Sequence, residues 1–241
     1  MTLVYDGTFE GFLSLVHEVY YKKIQPLVIT KELPHTLILD DIITIEYEEQ
    51  NSLKVLEAIK TKFTKRNFET ILNIFMCDSI PFEIDLLHFI ILGFKNQREL
   101  SNINISFVQN ILNFQKELFR HNHKMSGFIR FIELEDGTLY GKVETKFNVV
   151  YFLGKHFLAR FNNQRYIIHD IKREIAFIKN DNFTGIHNIA SFETPKISTN
   201  EEKFSKLWKT FFDSVAIKSR TNKKLQQQMV PLIYRTYMSE F

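Results

Sequence analysis

Apolar residues recur along the chain in two different periods, and the switches between them predict its elements. Phe9, Phe12, Leu13, Val16, Val19 and Tyr20 fall at helical spacing, so residues 8–23 are predicted to form an amphipathic helix. From Gly127 the period is two: Phe128, Arg130, Ile132 and Leu134 alternate with Ile129, Phe131 and Glu133. That alternation predicts a strand over 127–134, mostly apolar on both faces and therefore inside a sheet. Glu135-Asp136-Gly137-Thr138 supplies an Asp-Gly turn, the strongest local hairpin signal. Residues 139–145 return as a strand with Tyr140, Lys142 and Glu144 on a wet face. Val149, Phe152, Leu153, His156, Phe157 and Arg160 restore the helical period over 148–161, with Asn148 placed to cap it. Residues 165–170 and 174–178 make a second hairpin around a turn opened by Asp170. The fold class that follows is α+β: a largely antiparallel central sheet, built by a hairpin-helix-hairpin block and surrounded by helices.

The flanking regions fill in that picture. Leu3-Val4-Tyr5 is a short strand that can join the sheet, and Ile42 to Glu49 is another. Asp6 and Glu10 are a turn residue and a first-turn helix residue rather than paired catalytic carboxylates. Ser52 opens a helix, and 67–76, 81–94 and 106–120 are further helical stretches. Residues 180–200, rich in Asn, Ser, Thr and Pro, are predicted to be an irregular insertion. Phe204, Leu207, Trp208, Phe211, Phe212 and Val215 then line one face of a helix over 203–217. All three aromatic stripes (8–23, 148–161 and 203–217) are expected to pack on the sheet or on one another. No linker marks a boundary, so residues 1–241 are expected to form a single α+β domain.

Composition narrows the functional classes. The single cysteine, Cys77, excludes an internal disulfide, a Cys-rich zinc site and an iron–sulfur cluster held by this chain alone. It fits a reducing compartment, and no basic leader precedes the first apolar residues, so the expected location is cytoplasmic. The longest apolar run, Leu86 to Phe94, is interrupted by His88 and is too short to span a bilayer; no membrane is expected. The net charge of +3 is unevenly spread. Residues 1–100 carry 10 basic and 15 acidic groups, residues 101–200 carry 13 and 9, and residues 201–241 carry 8 and 4. A basic second half suits a polyanion or an acidic partner.

Catalytic signatures are sparse. The chain has no phosphate-binding loop, no dinucleotide fingerprint and no nucleophile elbow, so no cofactor is implied and whether it is an enzyme stays open. His121, His123, His156 and His169 lie in one block, but without the i, i+4 pair that helical metal sites use; no metal is expected. Arg130 sits on an apolar strand face. It must either pair with an acid (Glu133, Glu135, Asp170 or Glu174) or line an anion pocket with His123 and Lys124. His123, Arg130 and His169 are accordingly the catalytic candidates. The nucleic-acid candidates are Arg120, Lys124, Arg160, Arg165, Lys172, Arg173, Lys218, Arg220, Lys223 and Lys224, interleaved with rings that can stack on bases.

Several longer motifs carry a family resemblance. These are Y-D-G-T-F-E-G-F (Tyr5 to Phe12), H-K-M-S-G-F-I-R-F (His123 to Phe131) and the Asp136-Gly137 turn. They continue with N-V-V-Y-F-L-G-K-H-F-L-A-R-F (Asn148 to Phe161), R-Y-I-I-H-D (Arg165 to Asp170), L-W-K-T-F-F-D-S-V-A-I (Leu207 to Ile217) and the late M-V-P-L-I-Y-R-T-Y. In that order they resemble a family of DNA-metabolism or repair proteins found beside a radical-SAM protein of DNA modification or repair. Some members are fused to a uracil-DNA-glycosylase-like domain, and no such extension is expected here. The resemblance implies an accessory repair or modification protein that works with a radical-SAM partner, and the mix of cations and rings in the second half suits single-stranded or damaged DNA as its ligand. It transfers no active-site residue. An enzyme in its own right, a nuclease or phosphate-ester hydrolase, and a protein-interaction scaffold remain the alternatives.

Overall fold

The computed structural model describes residues 1–33, 41–161, 163–189, 196–238 and 240–241. They form two compact units, Met1–Leu118 and Phe119–Phe241. The expected α+β class holds, with separate three- and five-stranded sheets.

In the first unit, β1 (Thr2–Val4) lies between β2 (Val28–Thr30) and β3 (Ile42–Thr44), parallel to both. Leu3 stands opposite Ile29 and Ile43. The N-terminal strand therefore builds a sheet of its own and does not join the larger one. Its three residues are all buried, as an inner parallel strand requires. Helix α1 (Phe9–Lys22) starts where Gly11 N–H donates to Thr8 Oγ1 at 2.9 Å. Asp6 holds that cap by accepting from the Thr8 N–H at 2.9 Å, the turn role expected of it. Helices α2 (Glu49–Lys62), α3 (Lys65–Phe75) and α4 (Glu83–Lys95) follow. Ser52 falls inside α2 instead of capping it. Phe12, Leu13, Ile59, Ile71, Leu86 and Phe89 converge in one core. Burying each such side chain contributes about 1.5–3 kcal/mol.

Helix α5 (Ser106–Phe128) runs eight residues past its expected end. Leu118, His121, Met125 and Ile129 are all buried, a three-to-four residue spacing that keeps the chain helical where the alternation suggested a strand. The predicted strand 127–134 therefore shrinks to β4 (Phe131–Glu133), and Arg130 lies before it, not on its face. The hairpin itself is present. β4 pairs antiparallel with β5 (Leu139–Val143). Gly137 takes φ +78° at the turn, and Asp136 Oδ1 accepts from the Thr138 N–H at 2.9 Å.

Helix α6 (Val150–Phe161) connects β5 to a parallel β6 (Tyr166–Asp170). β7 (Ile175–Lys179) and β8 (Thr184–Asn188) then extend the sheet antiparallel, in the order β4-β5-β6-β7-β8. β8 falls within the residues expected to be irregular, and 190–195 of that stretch lie outside the described residues. The stripe of α6 packs as expected, with the Phe157 and Phe161 ring centres 4.9 and 5.1 Å from that of Phe131. Gly154 lets the helix close on the sheet, since a Cβ there would sit 2.2 Å from the Phe177 ring. Asn148 does not cap α6: its Oδ1 is buried without a hydrogen-bond partner. Tyr140, assigned to a wet face, is instead buried, whereas Glu144 is exposed.

Helix α7 (Glu201–Val215) departs most from expectation. None of its residues is buried, and Phe204, Leu207, Trp208, Phe211 and Val215 are all exposed. Its aromatic stripe is thus not core. A short 3-10 turn (Lys218–Arg220), helix α8 (Lys223–Met229) and a second 3-10 stretch (Leu232–Tyr237) end the chain.

Candidate nucleic-acid interface

Arg130 is held in place from two sides. Its Nη1 donates to the carbonyls of Gly127, Phe128 and Ile129 at 2.8, 3.2 and 3.1 Å, collecting the acceptors that α5 leaves free at its C-terminus. Its Nε donates to Glu240 at 3.1 and 3.3 Å, and its Nη2 also bonds that carboxylate. The acid that neutralises Arg130 is therefore Glu240, none of the four nearer in sequence. The Arg130 side chain is 27% exposed and that of Glu240 2%. Burial, the largest single influence, would raise the Glu240 pKa, but the hydrogen bonds from Arg130, its own backbone N–H and Trp208, with the Arg130 charge, together outweigh it and hold the carboxyl below its ordinary value.

Trp208 completes this cluster. Its Nε1–H donates to Glu240 Oε2 at 3.2 Å, and the Arg130 guanidinium lies 5.6 Å from its ring centre. A groove of about 560 Å³ opens beside it, lined by Arg130, Phe131, Glu133, Phe204, Trp208 and Tyr237 among others. That size and aromatic lining suit a small planar ligand. Arg130 does border a concavity, but with its charge already balanced.

The other catalytic candidates lie apart from it. His169, on β6, is buried and shares a 2.8 Å hydrogen bond between its Nδ1 and the Tyr140 hydroxyl. Burial, followed by nearby Lys142, pulls the imidazole pKa below its usual 6.5 against the opposing pull of Asp170 and Glu174. Burial likewise pushes the Tyr140 phenol up to about 12. At neutral pH both are uncharged, and the phenol O–H can donate to Nδ1. His123 is exposed on α5. His121, two residues earlier and so about 200° around the helix, faces inward and bonds the Tyr234 hydroxyl at 3.1 Å. The described contacts of His123, Arg130 and His169 are thus separate. Among the described residues no three His, Cys, Asp or Glu side chains are grouped to hold a metal ion.

The ten candidate cations divide in two. Arg120 and Lys124 on α5, Arg160 at the end of α6, Lys172 in the β6–β7 turn, Arg220, Lys223 and Lys224 are exposed. Arg165 and Arg173 are tied down. Arg165 bonds the Asp136 carbonyl and lies 3.9 Å from its carboxylate. Arg173 donates to Asp170 Oδ2 at 2.7 Å, to the Thr145 carbonyl at 3.0 Å and to the Lys146 carbonyl at 2.8 Å. Asp170 also accepts from the Lys172 and Arg173 N–H groups at 3.1 and 3.3 Å, so it opens the turn as expected. The side chain of Lys218 lies outside the described residues.

Sequence reasoning missed Trp208, Phe204, Tyr237 and Glu240. The first two looked like core because their spacing is ideal for burial. The signal available was that Trp208 is the single tryptophan, followed within sixteen residues by five cations, Lys209, Lys218, Arg220, Lys223 and Lys224.

Fold and groove define a class: an α+β protein with exposed aromatic and basic surface and no membrane-length apolar helix among its described residues. Within it, the model of DUF4130, a domain of unknown function, matches residues 82–240, and the chain belongs to that family. No curated protein matches it.

Proposed function

We propose that this chain is an accessory DNA-repair or DNA-modification protein that binds single-stranded or damaged DNA beside a radical-SAM partner. The observation that carries the reading is the exposure of Phe204, Trp208 and Phe211 close in sequence to the exposed cations Arg220, Lys223 and Lys224. Cations track phosphates while rings accept unpaired bases, and that combination is sequence-tolerant single-strand binding. The repair context and the radical-SAM partner rest on the motif resemblance alone. A nuclease or hydrolase using His123, Arg130 and His169 has less support, because the charge of Arg130 is spent on Glu240 and α5 carbonyls. A protein-docking scaffold is favoured by one separate observation: Leu207, Val215, Leu225 and Met229 are exposed too.

Two measurements separate these readings. Fluorescence anisotropy of a labelled single-stranded oligonucleotide at low salt should rise with added protein, and absence of a rise removes the nucleic-acid reading. Affinity purification of the intact protein from its own cells, read by mass spectrometry, should recover a radical-SAM enzyme. Recovery of other proteins that are retained after nuclease treatment, without any DNA binding, favours the scaffold.

A further inference from the structure

We infer that Trp208 is a preset stacking platform for one unpaired nucleobase, which enters the groove while its phosphates stay outside; this rests on the nucleic-acid reading above. Three features of the ring lead there. It is fixed, because its N–H is bonded to a Glu240 carboxylate that is itself clamped by Arg130. It is backed, because the guanidinium sits 5.6 Å from its centre. It is nevertheless 40% exposed, and Phe204, one turn earlier on the same helix, is 59% exposed.

A free tryptophan pays rotamer entropy when it stacks; a clamped one has lost it already. Such a ring is arranged to receive a flat partner. The charges of the groove decide which part of a nucleotide that is. Arg130 is neutralised by Glu240, while Glu133 and Glu201 also border the space. Glu201 Oε2 accepts from the Glu133 N–H at 2.9 Å and its Oε1 from the Ser205 hydroxyl at 2.9 Å, so it is an acceptor, not a phosphate ligand. The groove therefore repels phosphate and accepts an uncharged base, leaving phosphates to Arg220, Lys223 and Lys224.

The single tryptophan makes the test direct, since all indole emission comes from Trp208. The full chain is titrated with a labelled single-stranded 12-mer while anisotropy and tryptophan emission are followed together, and separately with adenosine. The expected result is saturable quenching by the 12-mer at the anisotropy midpoint, and quenching by adenosine that adenosine triphosphate does not improve. Trp208→Ala should weaken the 12-mer by about 5- to 150-fold, the loss of one base–aromatic stack. Phe204→Ala, at a more exposed position, keeps the emission readout and should weaken binding in the same direction. Anisotropy that rises without quenching overturns the platform and leaves nucleic-acid binding standing. Neither signal at low salt overturns both. A blue shift on raising protein concentration alone assigns the ring to a second copy of the chain and overturns the platform.

Discussion

Replacing Arg130 with methionine tests how the C-terminal segment is anchored. The variant keeps a long apolar stem but removes the cation from Glu240, whose side chain is only 2% exposed, and the donor from the carbonyls of Gly127, Phe128 and Ile129. Breaking a buried pair from one side costs about 3–5 kcal/mol. Because Arg130 is 27% exposed, water relieves part of that, and we expect about 3 kcal/mol. Glu240→Gln retains an acceptor for Trp208 and should cost about 1.5–3 kcal/mol, the range for a hydrogen bond to a charged group. The double variant should cost less than the sum by at least ~1.5 kcal/mol. Urea unfolding, followed by circular dichroism and by Trp208 emission, measures all three, with midpoint shifts of roughly 1–2 M for an ordinary slope. The carboxyl of Glu240 has a folded pKa below the ordinary glutamate value. Its stabilisation is therefore fully present above that value and is lost as pH falls through the lowered folded pKa. The wild type and Glu240→Gln should converge in acid. A coupling below ~0.5 kcal/mol, the range of an exposed pair, refutes the anchoring argument.

Other consequences follow from single contacts. Gly154→Ala should destabilise by about 1–3 kcal/mol despite the better helix propensity, because its Cβ would meet the buried Phe177 ring at 2.2 Å; Phe177→Leu should relieve part of that in thermal unfolding. Asp170→Ala should cost about 3–5 kcal/mol, since it strands Arg173 and frees two turn N–H groups; a loss under ~1 kcal/mol contradicts the turn analysis. His169 has a lowered folded pKa, so its unfolded state takes up the proton first. Stability should fall as pH drops from about 6.5 toward the folded value, and His169→Gln should remove that component of the pH profile.

Local chemistry was the most legible part of the fold. The Asp136-Gly137 turn, the Asp170 turn and the stripe of α6 depend on neighbours a few residues away, and each forms where the sequence places it. Arg130 was misplaced because residues 127–134 carry both periods: their alternation suggests a strand, while Leu118, His121, Met125 and Ile129 extend a helix through the same stretch. The helical contacts win up to Phe128. Its partner Glu240 lies 110 residues away, and no periodicity encodes so distant an ion pair. The parallel pairing of β5 with β6 was equally invisible, as alternation does not specify strand direction. Helix α7 shows the opposite failure. Its apolar face is clear in the sequence, but amphipathicity identifies a face that prefers cover and says nothing about what supplies it.

The salt dependence of single-strand binding tests the central claim most directly. With about four of the exposed cations on phosphates, log K should fall against log salt with a slope of about −2.8, from ~0.7 per contact. Reversing Arg220, Lys223 and Lys224 to glutamate should weaken every sequence alike and bring the slope toward about −0.7. Those side chains are exposed, so circular dichroism of the triple variant should match the wild type. An unchanged slope in the folded triple variant, or no binding by the wild type at low salt, contradicts the account.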